Sequence, residues 1–277
     1  MIDLHTHTTA SDGRNTPAEL VARASASGLQ VLAVTDHDTV GGCAAASRAC
    51  ASAGIEFVAG IEISSVLHDE DVHVLGYFVD VESDSLRSFL DEQRSRRVDR
   101  IRQMVERLNA LGMALDADAI VRPAVDDRSK SIGRPAVARA MVAAGHVAST
   151  GLAFDKWLSH GRPAYVPRPS LSPVDVFGKI HEAGGLASLA HPGLMDRDDW
   201  IPQFADAGLD ALEAYHPNHD DFDRARYLHF AERLGLAVSG GSDYHADESH
   251  GAPHPGVVSL PRVHFDALVR RHQTINR

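Results

Sequence analysis

Residues 31–38 read Val-Leu-Ala-Val-Thr-Asp-His-Asp. A short apolar run rich in β-branched residues, with no polar alternation, is the signature of a strand covered on both faces, as in parallel α/β sheets. The polar cluster Thr35-Asp36-His37-Asp38 follows where that strand ends. In parallel sheets and barrels, the carboxyl ends of the strands are where ligand sites are built. Working outward, Ile2-Asp3-Leu4-His5 reads as a short strand. Thr16-Pro17-Ala18-Glu19 opens a helix, with Thr at the N-cap, Pro at N1 and Glu at N3 as a capping box. Downstream come a small-residue helix over about 41–53 and strands at Glu56–Ile63 and Val72–Phe78. This alternation predicts a parallel sheet, open or closed into a barrel.

The alternation stops at Ser83. A charged helix is expected from about Ser85 to Leu111, with Val98, Ile101, Val105 and Leu108 on one face. Shorter helical pieces follow to His160, one of them opened by Gly133-Arg134-Pro135. From Ala164 the alternation resumes: helix 172–183, strand Leu186–Leu189, a helix near 198–207, strand Ala211–Ala214, helix 221–234, strand Leu236–Ser239 and a last helix at 262–273. The expected organisation is an α/β domain of seven strands formed by residues 1–82 and 164–277. An all-helical subdomain, residues 83–163, is inserted into it and contributes to the substrate pocket.

Composition bounds the function. The 277-residue chain is 44% apolar and 23% charged, ordinary for a globular protein with a full core. A formal net charge of −11 argues against a broad footprint for duplex nucleic acid. Two cysteines, Cys43 and Cys50, allow at most one disulfide and read as small buried thiols. With no apolar run of membrane-spanning length and no signal-like N-terminus, a cytoplasmic enzyme without membrane association is expected, and no obligate protein partner is evident.

The unusual feature is 17 histidines against 9 phenylalanines. His5 and His7 end the first strand, on one face by its period of two, and Asp12 follows in the loop. His37 ends the second strand, Glu62 the third; His73 lies in the fourth; His191 ends the strand 186–189. Asp243 and His245 follow the last strand. One histidine at a strand end is ordinarily a satisfied polar residue. Nine such residues at one end of one sheet would be a crowd of buried carboxylates and imidazoles that only cations could offset. A multinuclear metal site is the reading.

His5-x-His7, Thr35-Asp36-His37, Gly60-Ile61-Glu62, Ala190-His191-Pro192 and Gly241-Ser242-Asp243-x-His245 resemble the PHP (polymerase and histidinol phosphatase) superfamily. The resemblance implies a distorted seven-stranded (β/α)7 barrel, phosphoester hydrolysis by a hydroxide bridging two metals, and three divalent ions, manganese first, with iron(II) or zinc as alternatives. It assigns His5, His7, Glu62 and Asp243 to one ion, Glu62, His73 and His191 to a second, and Asp12, His37 and His245 to a third. Ser131-Ile132-Gly133-Arg134-Pro135, Pro163-Ala164-Tyr165-Val166-Pro167 and Glu213-Ala214-Tyr215-His216-Pro217 resemble the small stand-alone members. Those act on nucleoside 3′,5′-bisphosphates or on the 5′ end of short RNA. Ala136 stands where many relatives carry His after Arg-Pro.

Glu62, His216 and His245 are the expected catalytic residues, with His216 or His219 as proton donor to the leaving group. A second substrate phosphate wants arginine or a helix start. Arg97, Arg100, Lys130, Arg134 and His216 are therefore the expected substrate-binding set, with Arg134 and Lys130 on one anion. The favoured activity is removal of the 3′-phosphate from a nucleoside bisphosphate such as pAp, and 5′-to-3′ hydrolysis of short RNA is the alternative.

Overall fold

The structure, a computed structural model, describes residues 1–168, 171–247 and 252–275. Its framework is a seven-stranded sheet in sequential order: β1 (Ile2–Asp3), β2 (Val31–Val34), β3 (Glu56–Leu67), β4 (Glu70–Tyr77), β5 (Leu186–Leu189), β6 (Ala211–Tyr215) and β7 (Ala237–Gly240). The sheet curls into a nearly closed barrel. Its ends meet where Leu4 N donates to Gly240 O (3.2 Å) and His7 N to Tyr244 O (2.9 Å), with a parallel bridge between Thr6 and Tyr244.

The expected parallel sheet needs one correction. The pairs β1–β2, β2–β3, β5–β6 and β6–β7 are parallel, but β4 runs antiparallel to both β3 and β5. The cause is local. Only His68 and Asp69 separate β3 from β4, and both take left-handed backbone (φ 50° and 66°), the twist of a tight hairpin turn. Ser64 and Ser65 end the apolar run of β3 without ending the strand.

The outer helices are α1 (Pro17–Ala26), α2 (Cys43–Ala53), then α3 (Asp84–Ala110), α4 (Ala117–Asp126), α5 (Arg134–Ala143) and α6 (Thr150–Ala153) of the helical region, which a single π turn at Phe154–Leu158 closes. The chain returns through α7 (Pro173–Glu182), α8 (Pro192–Met195), α9 (Ile201–Asp206), α10 (Asp221–Leu234) and α11 (Arg262–Ile275). The capping box at α1 forms: Glu19 N donates to Thr16 Oγ1 (3.3 Å), and Thr16 N to Glu19 Oε2 (2.7 Å). Helix α3 joins two cores. Leu86, Phe89 and Leu90 pack into the barrel core, while Val98, Ile101, Met104, Val105 and Leu108 pack with Val121, Val137 and Met141 into a separate cluster. The helical region thus has its own core and is levered from the barrel by one helix. Cys43 and Cys50 are buried and free.

Candidate metal centre

The strands deliver their polar ends to one mouth of the barrel. Glu62, on β3, is its focus. Its Oε2 lies 3.3 Å from His5 Nε2, 3.2 Å from His7 Nε2 and 3.1 Å from His37 Nδ1. Its Oε1 lies 2.8 Å from His73 Nδ1 and 3.2 Å from His191 Nε2. Asp243 Oδ1 faces His5 and His7 at 3.3 and 3.1 Å. Asp12 faces His245 at 3.4 Å, His37 at 3.8 Å and His7 at 4.0 Å. All nine residues singled out in the sequence therefore converge.

Their electrostatics call for cations. Burial opposes a charge on His7, yet the neighbouring carboxylates of Asp243 and Glu62 overcome it and push the ring up to about 10. Burial raises Glu62, but His37, His73 and His5 hold it well below the usual carboxylate range. His37 is driven well below its ordinary value by burial. Several ring nitrogens are buried with no hydrogen bond: both of His7, Nδ1 of His37 and Nε2 of His73. Unsatisfied buried nitrogens beside ionised carboxylates are what a metal site looks like without its ions. Among the described residues the donor atoms form three groups, each within 4.8 Å: His5, His7, Glu62 and Asp243; His7, Asp12, His37 and His245; His37, Glu62 and His73. This nitrogen and oxygen set fits divalent transition metals. His191 is absent from the third group, though it touches the same Glu62 oxygen as His73.

The supports explain the precision. Asp3 accepts from Ser242 N (2.9 Å), Ser242 Oγ (2.6 Å) and His5 N (3.2 Å), binding the first strand to the last. Gly241 must be glycine, because a Cβ there would stand 2.3 Å from His5 N. His191, Asp243 and Asp38 have positive φ (29°, 51° and 51°), a strain the surroundings hold at functional sites. Glu213 went unassigned in the sequence. It is fully buried on β6, its Oε1 accepting from His5 Nδ1 (2.9 Å) and its Oε2 from His191 N (2.7 Å). Its one signal was a carboxylate inside an apolar strand.

His216 and His219 part company here. His219 donates from Nδ1 to Ala214 O (3.1 Å) and accepts at Nε2 from Gly193 N (3.1 Å), so both nitrogens are spent on packing and it is no free acid. His216 Nδ1 accepts from Asn218 N (3.2 Å), which places the neutral ring's proton on Nε2. That atom lies 3.5 Å from Asp243 Oδ2, buried and without a hydrogen bond.

The arginines divide as well. Arg97 spends its fork inside the protein, on Asp38 Oδ2, Ile132 O (2.9 Å) and Ser64 Oγ (2.9 Å). Arg100 donates from Nε to Val166 O (2.7 Å), while its Nη2 is buried without a bond. Arg134 Nη2 and Arg168 Nε hold the two oxygens of Asp71, at 2.9 and 3.0 Å. Asp71 precedes His73 by two residues on β4, so both stand on one face. Arg168 and Asp71 carried no periodic signal, since the contact comes from the chain returning past β4. Lys130 does not join Arg134 but lines a separate crevice.

With this geometry in hand, the relatives can be placed. Residues 3–101 match the PHP domain model. A 3′,5′-nucleoside bisphosphate phosphatase of Chromobacterium violaceum is 37% identical over 267 residues, covering 95% of this chain and 93% of its own. The chain belongs to the PHP family. Another relative, the 5′-3′ exoribonuclease Rnm of Salmonella typhimurium, is 34% identical over 88% of this chain and 84% of its own. A crystal structure from Bifidobacterium adolescentis, described as a metal-dependent phosphoesterase, superposes with a TM-score of 0.88 at 33% identity, over 98% of this chain and 96% of that one. That structural likeness spans the described barrel and the helical region alike.

Proposed function

We propose that this PHP enzyme is a phosphomonoesterase that removes the 3′-phosphate of nucleoside 3′,5′-bisphosphates, turning pAp into AMP and phosphate. The observation that carries the reading is the pairing of two sites for negative charge: the histidine–carboxylate mouth and, beside His73, the basic cluster of Arg100, Arg134 and Arg168. A substrate with two phosphates uses both. Full-length likeness to the bisphosphate phosphatase supports the same substrate class.

His5, His7, Glu62 and Asp243 hold one divalent ion in this reading. Glu62, His73 and His191 would hold a second, and Asp12, His37 and His245 the third; the nitrogen-and-oxygen donor set suits manganese, iron(II) and zinc alike, and manganese comes first from the resemblance to the PHP family. Such ions supply positive charge for the phosphoryl oxygens and make water acidic enough to attack at neutral pH. The chain's own residues do the rest. Glu62 and Asp243 fix the histidines around the reacting phosphate. Arg134 and Arg168, oriented by Asp71, and Arg100, with its free Nη2, grip the 5′-phosphate. The 3′-oxygen departs as its bond to phosphorus breaks and takes its proton from a water molecule, while the neutral His216 ring steadies it with a hydrogen bond from Nε2–H. The buried, free Cys43 and Cys50 fit a reducing, cytoplasmic setting.

Phosphate release in manganese tests this with pAp, AMP, 3′-AMP and a short 5′-phosphorylated RNA. Rapid conversion of pAp, with AMP left intact, is expected. Arg134→Ala and Arg168→Ala raise KM for pAp roughly tenfold or more, as loss of a charge-assisted hydrogen bond implies, and change 3′-AMP hydrolysis little. Release of mononucleotides from RNA while pAp stays whole would replace this reading with the exoribonuclease one, which the likeness to Rnm favours.

A further inference from the structure

Outside the metal centre, a crevice of about 410 Å³ opens where the barrel meets the helical insertion. The loop after His37 and the start of α2 form one side, the first turns of α3 another, and residues 128–130 the third. Val40, Ala44, Val81 and Leu90 give it an apolar wall. Its rim is basic: Arg87, Arg94, Arg128 and Lys130.

The charges there do not cancel. Arg87 is paired with Glu82, and Asp38 is neutralised from behind by Arg97. A single carboxylate, Asp91, serves both Arg94 (3.0 Å) and Arg128 (3.8 Å). Lys130 has no ion pair among the described residues. Asp127, outside the crevice, feels the charge of Lys130, but within the lining the cations outnumber the carboxylates, in a chain whose formal net charge is −11. A phosphate monoester near neutral pH carries close to two negative charges. Volume and apolar wall leave room for a flat body as well as the phosphate.

We propose that this crevice is a second ligand site, separate from the substrate pocket, for a nucleoside monophosphate. The phosphate sits among Lys130, Arg94 and Arg128, and the nucleoside lies along Val40 and Leu90. The site spans a tight joint. Thr39 Oγ1 donates to Ser129 O (2.8 Å), and a Cβ on Gly41 would stand 2.0 Å from that oxygen. Arg97, behind Asp38, holds Ile132 O, two residues before Arg134. An occupant therefore fastens the insertion to the barrel next to the segment that presents Arg134, and its effect falls on KM for the bisphosphate rather than on kcat.

Only the choice of nucleotide rests on the proposed substrate class, so binding is read without turnover. The manganese-loaded enzyme is titrated calorimetrically with AMP, and with inorganic phosphate and adenosine as separate probes. The wild type binds two equivalents of AMP. Ala44→Trp, which fills the crevice, and Arg128→Glu, which reverses an exposed charge on its rim, each bind one. Ala44→Trp turns over pAp at the wild-type rate in the absence of AMP and, with AMP present, keeps only the competitive rise in KM that binding in the substrate pocket produces. A single equivalent in the wild type, or two in Ala44→Trp, overturns the proposal. Phosphate binding as tight as AMP overturns its nucleoside part. Failure to hydrolyse pAp, with the second equivalent still abolished by Ala44→Trp, would remove the proposed activity and leave this site standing.

Discussion

Glu213 shows how much one buried carboxylate can organise. It faces no open space, yet it fixes the His5 ring through Nδ1 and the His191 backbone through its N–H, residues from two different strand ends. With His5 Nδ1 donating, Nε2 is the nitrogen left to face Glu62 and Asp243. Carboxylates behind a ligating histidine are worth about 10–100-fold in metal affinity or activity. Glu213→Gln keeps the volume and removes the charge. After dialysis it is expected to retain fewer metal ions per chain than the wild type by elemental analysis, with its circular dichroism unchanged. A full metal complement with wild-type kcat would mean that Glu213 serves packing alone.

At the scale of elements, the opposite end of the barrel is held by a second carboxylate. Asp210, just before β6, accepts from Ala187 N (3.0 Å) on β5, His181 Nε2 (2.7 Å) on α7 and Arg271 Nε (3.1 Å) on α11. Burial pushes its carboxyl up, but His181, the Ala187 amide and Arg271 outweigh that and leave it below its ordinary value. A carboxyl depressed on folding stabilises the native state above its unfolded value near 3.9, and that contribution disappears as pH falls through the folded value. Asp210→Asn should therefore cost about 2 kcal/mol at pH 7, the scale of a charged hydrogen bond. The gap to the wild type should narrow between pH 7 and pH 3. Thermal unfolding at both pH values measures it, and a gap of equal size at each would mean the charge contributes nothing.

For the whole molecule, the metal centre is a clasp as well as a reaction site. Its donors come from β3 and β4 and from the segments that follow β1, β2, β5 and β7, at both ends of the chain, so cations bound there draw the barrel shut. A ligand at a hundred times its Kd adds about 2.7 kcal/mol of stability per site. For a chain of this size that raises Tm by roughly 5–10 °C. Exhaustive chelation should lower Tm by at least that amount and manganese should restore it, as scanning calorimetry would show. An unchanged Tm would separate folding from metal binding.

The amino-acid order alone determined the strand and helix alternation, the helical break after Ser83, the capped starts of α1 and α7 and the ligand-type residues at the strand ends. These are local facts: apolar runs, caps and the period of two each report on a few neighbouring residues. Tertiary structure decided what depends on residues distant in sequence. The turn at His68-Asp69 set β4 antiparallel, and the return of the chain past β4 brought Arg168 to Asp71. Arg97 reads from the sequence as a substrate-binding cation, but Asp38, 59 residues away, engages it inside the protein. Lys130 and Arg134 are four apart in sequence, yet a loop and a helix start send them to different pockets. Buried charge is legible only once its partner is in place, because the partner, not the residue, makes burial affordable.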